Sequence, residues 1–168
     1  MKRIVMPCVA ALTLFFSTLP ITTAVSADTL YERLGGAPAI DCWIDNALEI
    51  ITADTRINDF FAGELNAGQD LSLRDSLVAF ACAATGGPCL YTGRDMSCAH
   101  AGLSIDHHSF TAFMQDLDKA ATVCRRGNTQ WMTDPAYSEL SKVLLSLRPP
   151  VVQDDPGENP LGTASCPN

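Results

Sequence analysis

Three histidines, His100, His107 and His108, are the side chains of this sequence best suited to bind a metal. His100 lies within residues 84–103 (ATGGPCLYTGRDMSCAHAGL), where a glycine and proline turn separates an apolar helical run from a second, short helical segment. A neutral imidazole in such a setting can ligate the iron of a flat, apolar cofactor such as haem. It can also be a hydrogen-bonded core residue, and periodicity alone favours that second interpretation.

Cysteines offer a different chemistry. A non-haem metal or thiol site would use Cys89, Cys98, His100 and His107, although their spacing matches no structural zinc pattern. Six of the seven cysteines follow the N-terminal segment, and an even number in an exported chain favours disulfides. Cys82 and Cys89 flank the glycine and proline turn, so a local disulfide is geometrically plausible there. The other pairings stay open, and the alternative is that several cysteines are unpaired, small buried side chains.

Helices must position these groups, because apolar residues recur at helical spacing and no segment alternates as a strand does. The sequence therefore predicts an all-α fold. A capping box at residues 29–32 begins the first helix. The later apolar stripes are Ile40, Ile44, Leu48 and Ile51; Leu73, Leu77, Phe80 and Ala81; Phe110, Phe113, Met114, Leu117 and Ala121; and Tyr137, Leu140, Leu144 and Leu147.

Glycine and proline set the predicted boundaries of these helices. Pro38 is expected to begin the second helix, and residues 96–103 form about two turns that carry His100. Arg148 and the two prolines after it end the last helix. Residues 28–150 are thus predicted to form one domain, and the proline-containing acidic tail of residues 151–168 is predicted to have little order.

The first 27 residues have the three parts of an export signal: Lys2 and Arg3, an apolar core, and small residues before Asp28. A membrane anchor is the alternative, but Pro7 and Pro20 interrupt the apolar span that one would need. We therefore expect a cleaved signal peptide, a periplasmic or secreted protein, and no membrane attachment after cleavage.

Charge excludes another class of partner. The leader carries two of the 11 Lys and Arg residues and none of the 19 Asp and Glu residues, so cleavage leaves 9 positive and 19 negative side chains, a net charge of −10. Nucleic acids and anionic membranes attract basic surfaces. Neither is expected as a partner.

Four blocks of the sequence resemble the truncated haemoglobins, most closely group I. They are LYERLGG (residues 30–36), ADTRINDFF (53–61), ATGGPCLYTGRDM (84–96) and AHAGLSIDHHSF (99–110), and they occur in the family's order and at roughly its spacing. One block alone would be weak, whereas four in order are specific. The resemblance implies a two-over-two helical sandwich around haem b.

The same resemblance implies the roles of individual residues. It places the proximal iron ligand at His100 and distal positions at Leu48, Leu73 and Leu77. Many members carry tyrosine and glutamine on the distal side, so leucines here predict weaker retention of oxygen. The remaining expected haem contacts are Phe60, Phe61 and Tyr91 at the haem edge, Arg94 toward a propionate, and Met96, with core packing or an exposed charge as the alternatives.

The function implied is reversible binding of a diatomic gas, which is oxygen, nitric oxide or carbon monoxide, at iron held by His100. Nitric oxide dioxygenation with a periplasmic reductase, or a peroxidase-like side activity, would fit the same scaffold. The alternative is a haem redox or electron-transfer module. That module would need a second axial ligand, such as Met96 or a histidine, or a polar distal catalyst.

Overall fold

The computed structural model describes residues 28–63, 70–127, 134–152 and 166. Within these ranges every regular element is helical and no strand occurs, which confirms the predicted all-α class. In chain order the helices are α1 (Leu30–Leu34), α2 (Gly36–Ala53), α3 (Asp70–Ala84), α4 (Met96–His100), α5 (His107–Gly127), α6 (Asp134–Leu145) and α7 (Arg148–Val151), with a 3₁₀ turn at Asn58–Phe60.

Helix α1 begins with the predicted capping box. The Glu32 backbone N–H donates to Thr29 Oγ1 (3.2 Å), and the Thr29 backbone N–H donates to Glu32 Oε2 (2.8 Å). Gly35 ends the helix with a φ of 113°, a left-handed conformation that favours glycine. Helix α2 then starts at Gly36, two residues before the predicted Pro38, because Gly35 both ends α1 and begins α2.

Helix α2 lies at the centre of the fold and packs against α1, α3 and α5. All of its predicted stripe residues are buried except Leu48, which is partly exposed. Trp43 is also buried, and its Nε1–H donates a 3.0 Å hydrogen bond to the carbonyl oxygen of Leu117 on α5. This bond satisfies the indole inside the core and joins the two longest helices.

Helix α3 presents a less buried apolar face than its sequence suggests. Of its predicted stripe, Ala81 is buried, whereas Leu73, Leu77 and Phe80 remain partly exposed. The neighbouring Cys82 is buried as well. The apolar face of α3 is therefore only partly covered by the rest of the chain.

The turn after α3 requires glycine for steric reasons. A Cβ atom added at Gly87 would lie 2.6 Å from Cys82 Sγ and 2.8 Å from Tyr31 Cδ2, and Gly86 has a φ of +82°. The close approach lets the Tyr31 backbone N–H donate to the Thr85 carbonyl oxygen at 2.8 Å. The turn thereby holds the start of α1 against the end of α3.

The helix that carries His100 is shorter than predicted. Helix α4 ends at His100 instead of continuing to residue 103, and Gly102 adopts a φ of +79° just beyond it. Helix α4 packs mainly against α7, which forms one further turn where Arg148 was expected to end the helical part of the chain. Prolines are tolerated at the first positions of α7, because those backbone N–H groups have no helical partner.

All six cysteines of residues 28–168 form disulfides, so the alternative of unpaired cysteines is wrong. The predicted local disulfide between Cys82 and Cys89 is confirmed. The other two are long-range: Cys42–Cys124 joins α2 to α5, and Cys98–Cys166 joins α4 to the end of the chain.

Parts of the predicted domain division lie outside the described residues. The expected signal peptide (residues 1–27) is outside them, as are residues 153–165 and 167–168 of the expected disordered tail. The first residue of that tail, Val151, is buried, and Cys166 is disulfide-bonded. Among the helices of the described ranges, none is long and apolar enough to cross a bilayer.

Candidate functional site

His100 is the last residue of α4 and is partly buried. The helix starts at Asp95, whose Oδ1 accepts the backbone N–H of Cys98 at 3.0 Å, a side-chain cap that fixes the first turn. His100 Nδ1 lies 2.7 Å from the carbonyl oxygen of Met96. Because a carbonyl oxygen only accepts, Nδ1 must carry the proton, which leaves the lone pair of a neutral imidazole on Nε2.

This hydrogen bond is the kind that prepares a histidine for metal ligation. Metal-bound imidazoles commonly donate their second ring N–H to a carbonyl oxygen or a carboxylate, which fixes both the tautomer and the orientation of the ring. Met96 provides that acceptor one helical turn before His100. Because Met96 and His100 lie four residues apart in the same helix, no distant residue is needed to set the tautomer of His100.

The apolar interior is divided into two clusters of buried side chains. The first cluster is formed mainly by α1, α2, α5 and α6, and the second by Ile105, Phe110 and Val151. Phe60 and Met114 are partly buried and pack against both clusters. They mark where the two halves of the interior meet.

Most of the predicted haem contacts lie on this interior. Leu48, Phe61 and Leu77 are partly buried and pack against the first cluster, as Phe60 does. Met96 packs against the second cluster, on the helix that carries His100. Leu73 is partly buried but is a member of neither cluster. These apolar side chains are only partly buried by the rest of the chain, and a flat apolar cofactor would cover what remains of their surface.

Tyr91 and Arg94 lie together in the segment between α3 and α4. The Tyr91 hydroxyl donates to the Arg94 carbonyl oxygen at 2.8 Å, and its ring meets Phe80 edge-to-face with the centroids 5.3 Å apart. These two contacts account for the position of the Tyr91 side chain without any contact to haem. The Arg94 side chain is exposed and forms no ion pair with any residue that the structure describes.

Two residues of this interior, Phe113 and Met114, belong to a predicted apolar stripe but are not among the predicted haem contacts. Phe113 stacks on Phe61 with ring centroids 6.3 Å apart and an interplanar angle of 17°, and Met114 contacts both clusters. Both belong to the apolar stripe of α5, so the signal was present. The stripe shows which face of α5 is apolar but not which of its residues reach the boundary between the clusters.

The interpretation as a zinc or thiol site is wrong. Cys89 is bonded to Cys82 and Cys98 to Cys166, so neither offers the thiolate that such a site needs. Among the described residues, no group of three His, Cys, Asp or Glu side chains is placed to hold a metal ion. The sequence also contains Asn66 and Gln69 in the predicted loop of residues 62–70, whose amides could approach the distal side, and both lie outside the described part of the chain.

His107 has a structural contact of its own. Arg148 Nε donates to His107 Nδ1 at 3.1 Å, and the Arg148 guanidinium lies over the ring of Phe110 at 5.8 Å from its centroid. These contacts connect the start of α5 to α7. They give His107 a packing role that needs no metal.

Comparison with known proteins identifies the family. The model of the bacterial-like globins matches residues 29–137. A group 1 truncated haemoglobin, GlbN, from Nostoc sp. (strain MUN 8820) is 38% identical over 95 residues, which cover 56% of this chain and 77% of that protein. A group 1 truncated haemoglobin from Tetrahymena pyriformis is 31% identical over 116 residues, which cover 69% of this chain and 88% of that protein.

Solved structures agree with this assignment. The Fe(III) form of truncated haemoglobin from Tetrahymena pyriformis matches with a TM-score of 0.63 and 25% identity, over 74% of this chain and 98% of that one. The 2/2 haemoglobin from Synechococcus sp. PCC 7002, in the cyanomet state with covalently attached haem, matches with a TM-score of 0.61 and 24% identity. The match covers 74% of this chain and 98% of that one. The second likeness shows the fold alone.

These matches confirm the predicted two-over-two globin fold and its cofactor class. Globins bind haem, usually as haem b with its iron. The residues present fit that group: an imidazole with its lone pair on Nε2, and partly buried apolar side chains, of which Phe60 and Met114 pack against both clusters. The chain belongs to the bacterial-like globins and is a truncated haemoglobin of the group 1 type.

Proposed function

We propose that this protein is an exported haem protein that reversibly binds a diatomic gas, with His100 as the protein ligand to the iron. The observation that carries the proposal is the 2.7 Å contact between His100 Nδ1 and the Met96 carbonyl oxygen. It puts the imidazole in the tautomer that ligation through Nε2 requires. Haem iron supplies the site at which the gas is bound.

At the predicted distal positions, the side chains that the structure describes are apolar. Leu48 on α2 and Leu73 and Leu77 on α3 offer no hydrogen-bond donor, so their contribution is to exclude water and limit the space beside the iron. Donors on the distal side decide how strongly bound oxygen is held. We therefore propose faster release of oxygen than in members with polar distal residues.

Export is supported by the cysteines. Disulfides persist in oxidising compartments, and all six cysteines after the leader are paired. Together with the signal-like residues 1–27, this supports a periplasmic or secreted protein. Nitric oxide dioxygenation would additionally need an electron donor, for which we propose a reductase of the same compartment.

The proposal is tested by optical spectroscopy of the purified protein reconstituted with equimolar haem. The ferrous protein should show a Soret band that shifts with carbon monoxide, and His100→Ala should remove the spectrum of histidine-ligated haem. His108→Ala is a matched control that changes an exposed histidine at the start of α5 and should keep the wild-type spectra. Unchanged spectra in His100→Ala would refute the ligand assignment. A six-coordinate ferrous spectrum in wild type would favour the redox alternative.

A further inference from the structure

Helix α4, which carries His100, has only five residues. Helices this short are not stable in isolation, because nucleation costs more than so few hydrogen bonds return. Its position must therefore come from contacts with the rest of the chain. The Asp95 cap sets its first turn but does not tie it to another element.

Two contacts tie α4 to the C-terminal part of the chain. The first is apolar, because Met96 packs against the cluster that contains Val151 of α7. The second is covalent. Cys98 is the one buried residue of α4, and it forms a disulfide with Cys166, with the two Cα atoms 5.5 Å apart.

The covalent contact acts close to the proposed iron ligand. Cys98 lies two residues before His100, and its backbone N–H donates to the Asp95 cap. Cys166 comes from 68 residues further along the chain, so the bond fixes α4 from outside its own sequence. A restraint on Cys98 limits both translation of α4 and its rotation about its axis, and these two motions decide where the His100 imidazole points.

We propose that the Cys98–Cys166 disulfide is a positioning element for His100. By fixing α4, the end of the chain sets the orientation of the imidazole, the strength of its bond to iron and the rate at which haem is lost. This inference rests on the proposed function, because it takes His100 as the ligand. Loss of groups that orient a metal ligand typically weakens metal binding by about 10- to 100-fold.

The chain provides a matched control. The Cys82–Cys89 disulfide closes the turn after α3 and includes no residue of α4. The Cys42–Cys124 disulfide joins α2 to α5 inside the first cluster, so it is less suitable because its loss disturbs the core. Opening Cys82–Cys89 should therefore report the general effect of losing a disulfide, without the specific effect on His100.

The test compares Cys166→Ser with Cys89→Ser, both in the full chain reconstituted with haem. Cys166→Ser leaves Cys98 in place and removes only the covalent link. We expect its iron–histidine stretching band, measured by resonance Raman spectroscopy of the ferrous protein, to shift or broaden. Haem transfer to an excess of apomyoglobin should be about tenfold faster. In the haem-free protein, amide hydrogen exchange over residues 95–103 should also increase.

Cys89→Ser should keep the wild-type band and lose haem at the wild-type rate. The inference would be overturned, with the proposed function intact, if Cys166→Ser matched wild type in its iron–histidine band, its rate of haem loss and its amide hydrogen exchange. An equal change in both variants would also overturn it, because the effect would then be general. A wild-type iron–histidine band that survives His100→Ala would instead refute the proposed ligand.

A second measurement covers the case in which Cys166→Ser does not fold. A dithiol opens the disulfide in wild type by supplying two electrons and two protons: the S–S bond becomes two thiols, and the dithiol becomes a cyclic disulfide. Alkylation and mass spectrometry identify which disulfide has opened. An iron–histidine band that does not change as Cys98 and Cys166 become alkylated would overturn the inference.

Discussion

The Nε atom of Arg74 on α3 lies 2.6 Å from Oδ1 of Asp45 on α2, and the same guanidinium reaches Oδ1 of Asp41 at 3.0 Å. These carboxylates raise the pKa of Arg74, with the hydrogen bond to Asp45 as the main cause, so the guanidinium stays charged. The network joins the two helices that carry the proposed distal leucines. It therefore helps to set the separation of α2 and α3 on the distal side.

Replacing Arg74 tests this connection. Arg74→Gln removes the ion pairs with Asp41 and Asp45 and the longer one with Asp75, and we expect the free energy of unfolding to fall by about 0.2–1 kcal/mol, the range for solvent-exposed pairs. Urea denaturation of the haem-free protein measures the change. The control is Asp75→Asn, because it removes only the longest of the three ion pairs, at 3.7 Å, which lies within α3 and does not connect α3 to α2. A loss in Asp75→Asn as large as that in Arg74→Gln would contradict the prediction.

The proposed distal position of Leu77 predicts how one added polar group should act. Leu77→Gln places an amide donor on the partly buried face of α3, where a hydrogen bond to bound oxygen of about 1–1.5 kcal/mol would slow its release about tenfold. Stopped-flow measurement of oxygen dissociation tests this. Leu77→Met, which adds no donor, should release oxygen at nearly the wild-type rate. Equal rates in both variants would place Leu77 away from the bound gas.

Asp106 makes the start of α5 sensitive to acid. The Ser109 backbone N–H donates to Asp106 Oδ1 at 2.7 Å, and this bond is the main reason that the pKa of Asp106 lies below its usual value. A carboxyl whose pKa is lower in the folded state stabilises the fold above its unfolded pKa of about 4. That contribution is lost as the pH falls through the folded pKa.

Asp106→Asn is the matched variant, because an asparagine still caps the helix but does not titrate. We expect the melting temperature of the variant to fall less than that of wild type between about pH 4 and pH 2. Thermal denaturation followed by circular dichroism measures both profiles. Parallel profiles would show that Asp106 does not contribute to acid sensitivity.

Tyr137 makes the fold sensitive to alkali. Burial is the main cause that raises the pKa of Tyr137 to about 12, with a further contribution from the charge of Asp118. An acid whose pKa is higher in the folded state stabilises the fold fully below its unfolded pKa of about 10, and the contribution is lost as the pH rises from 10 to 12. Absorbance at 295 nm should show a tyrosinate step near pH 12 that Tyr137→Phe removes. A titration unchanged by that substitution would contradict the assignment.

Helix formation could be predicted from the sequence because its signals are local. The capping box at Thr29 and Glu32 and the stripe of α2 depend on neighbouring residues, and both occur as predicted. The contact of His100 with Met96 is local too, since it spans one helical turn. Helical periodicity alone could not predict haem binding, because haem binding depends on which apolar stripes face each other. The resemblance to the truncated haemoglobins added that prediction.

Only the tertiary structure decided which distant residues meet. Cys42 pairs with Cys124 across 82 residues, and Cys98 pairs with Cys166 across 68. No local sequence pattern selects these partners, because the path of the folded chain brings them together. Likewise, the stripe of α5 shows an apolar face, but the packing of several helices places Met114 at the boundary between two clusters. The sequence by itself determined the helices and their apolar faces, since these follow from backbone geometry. Tertiary packing decided the long-range disulfides and which side chains lie at the boundary between the two clusters, since these depend on how the faces assemble.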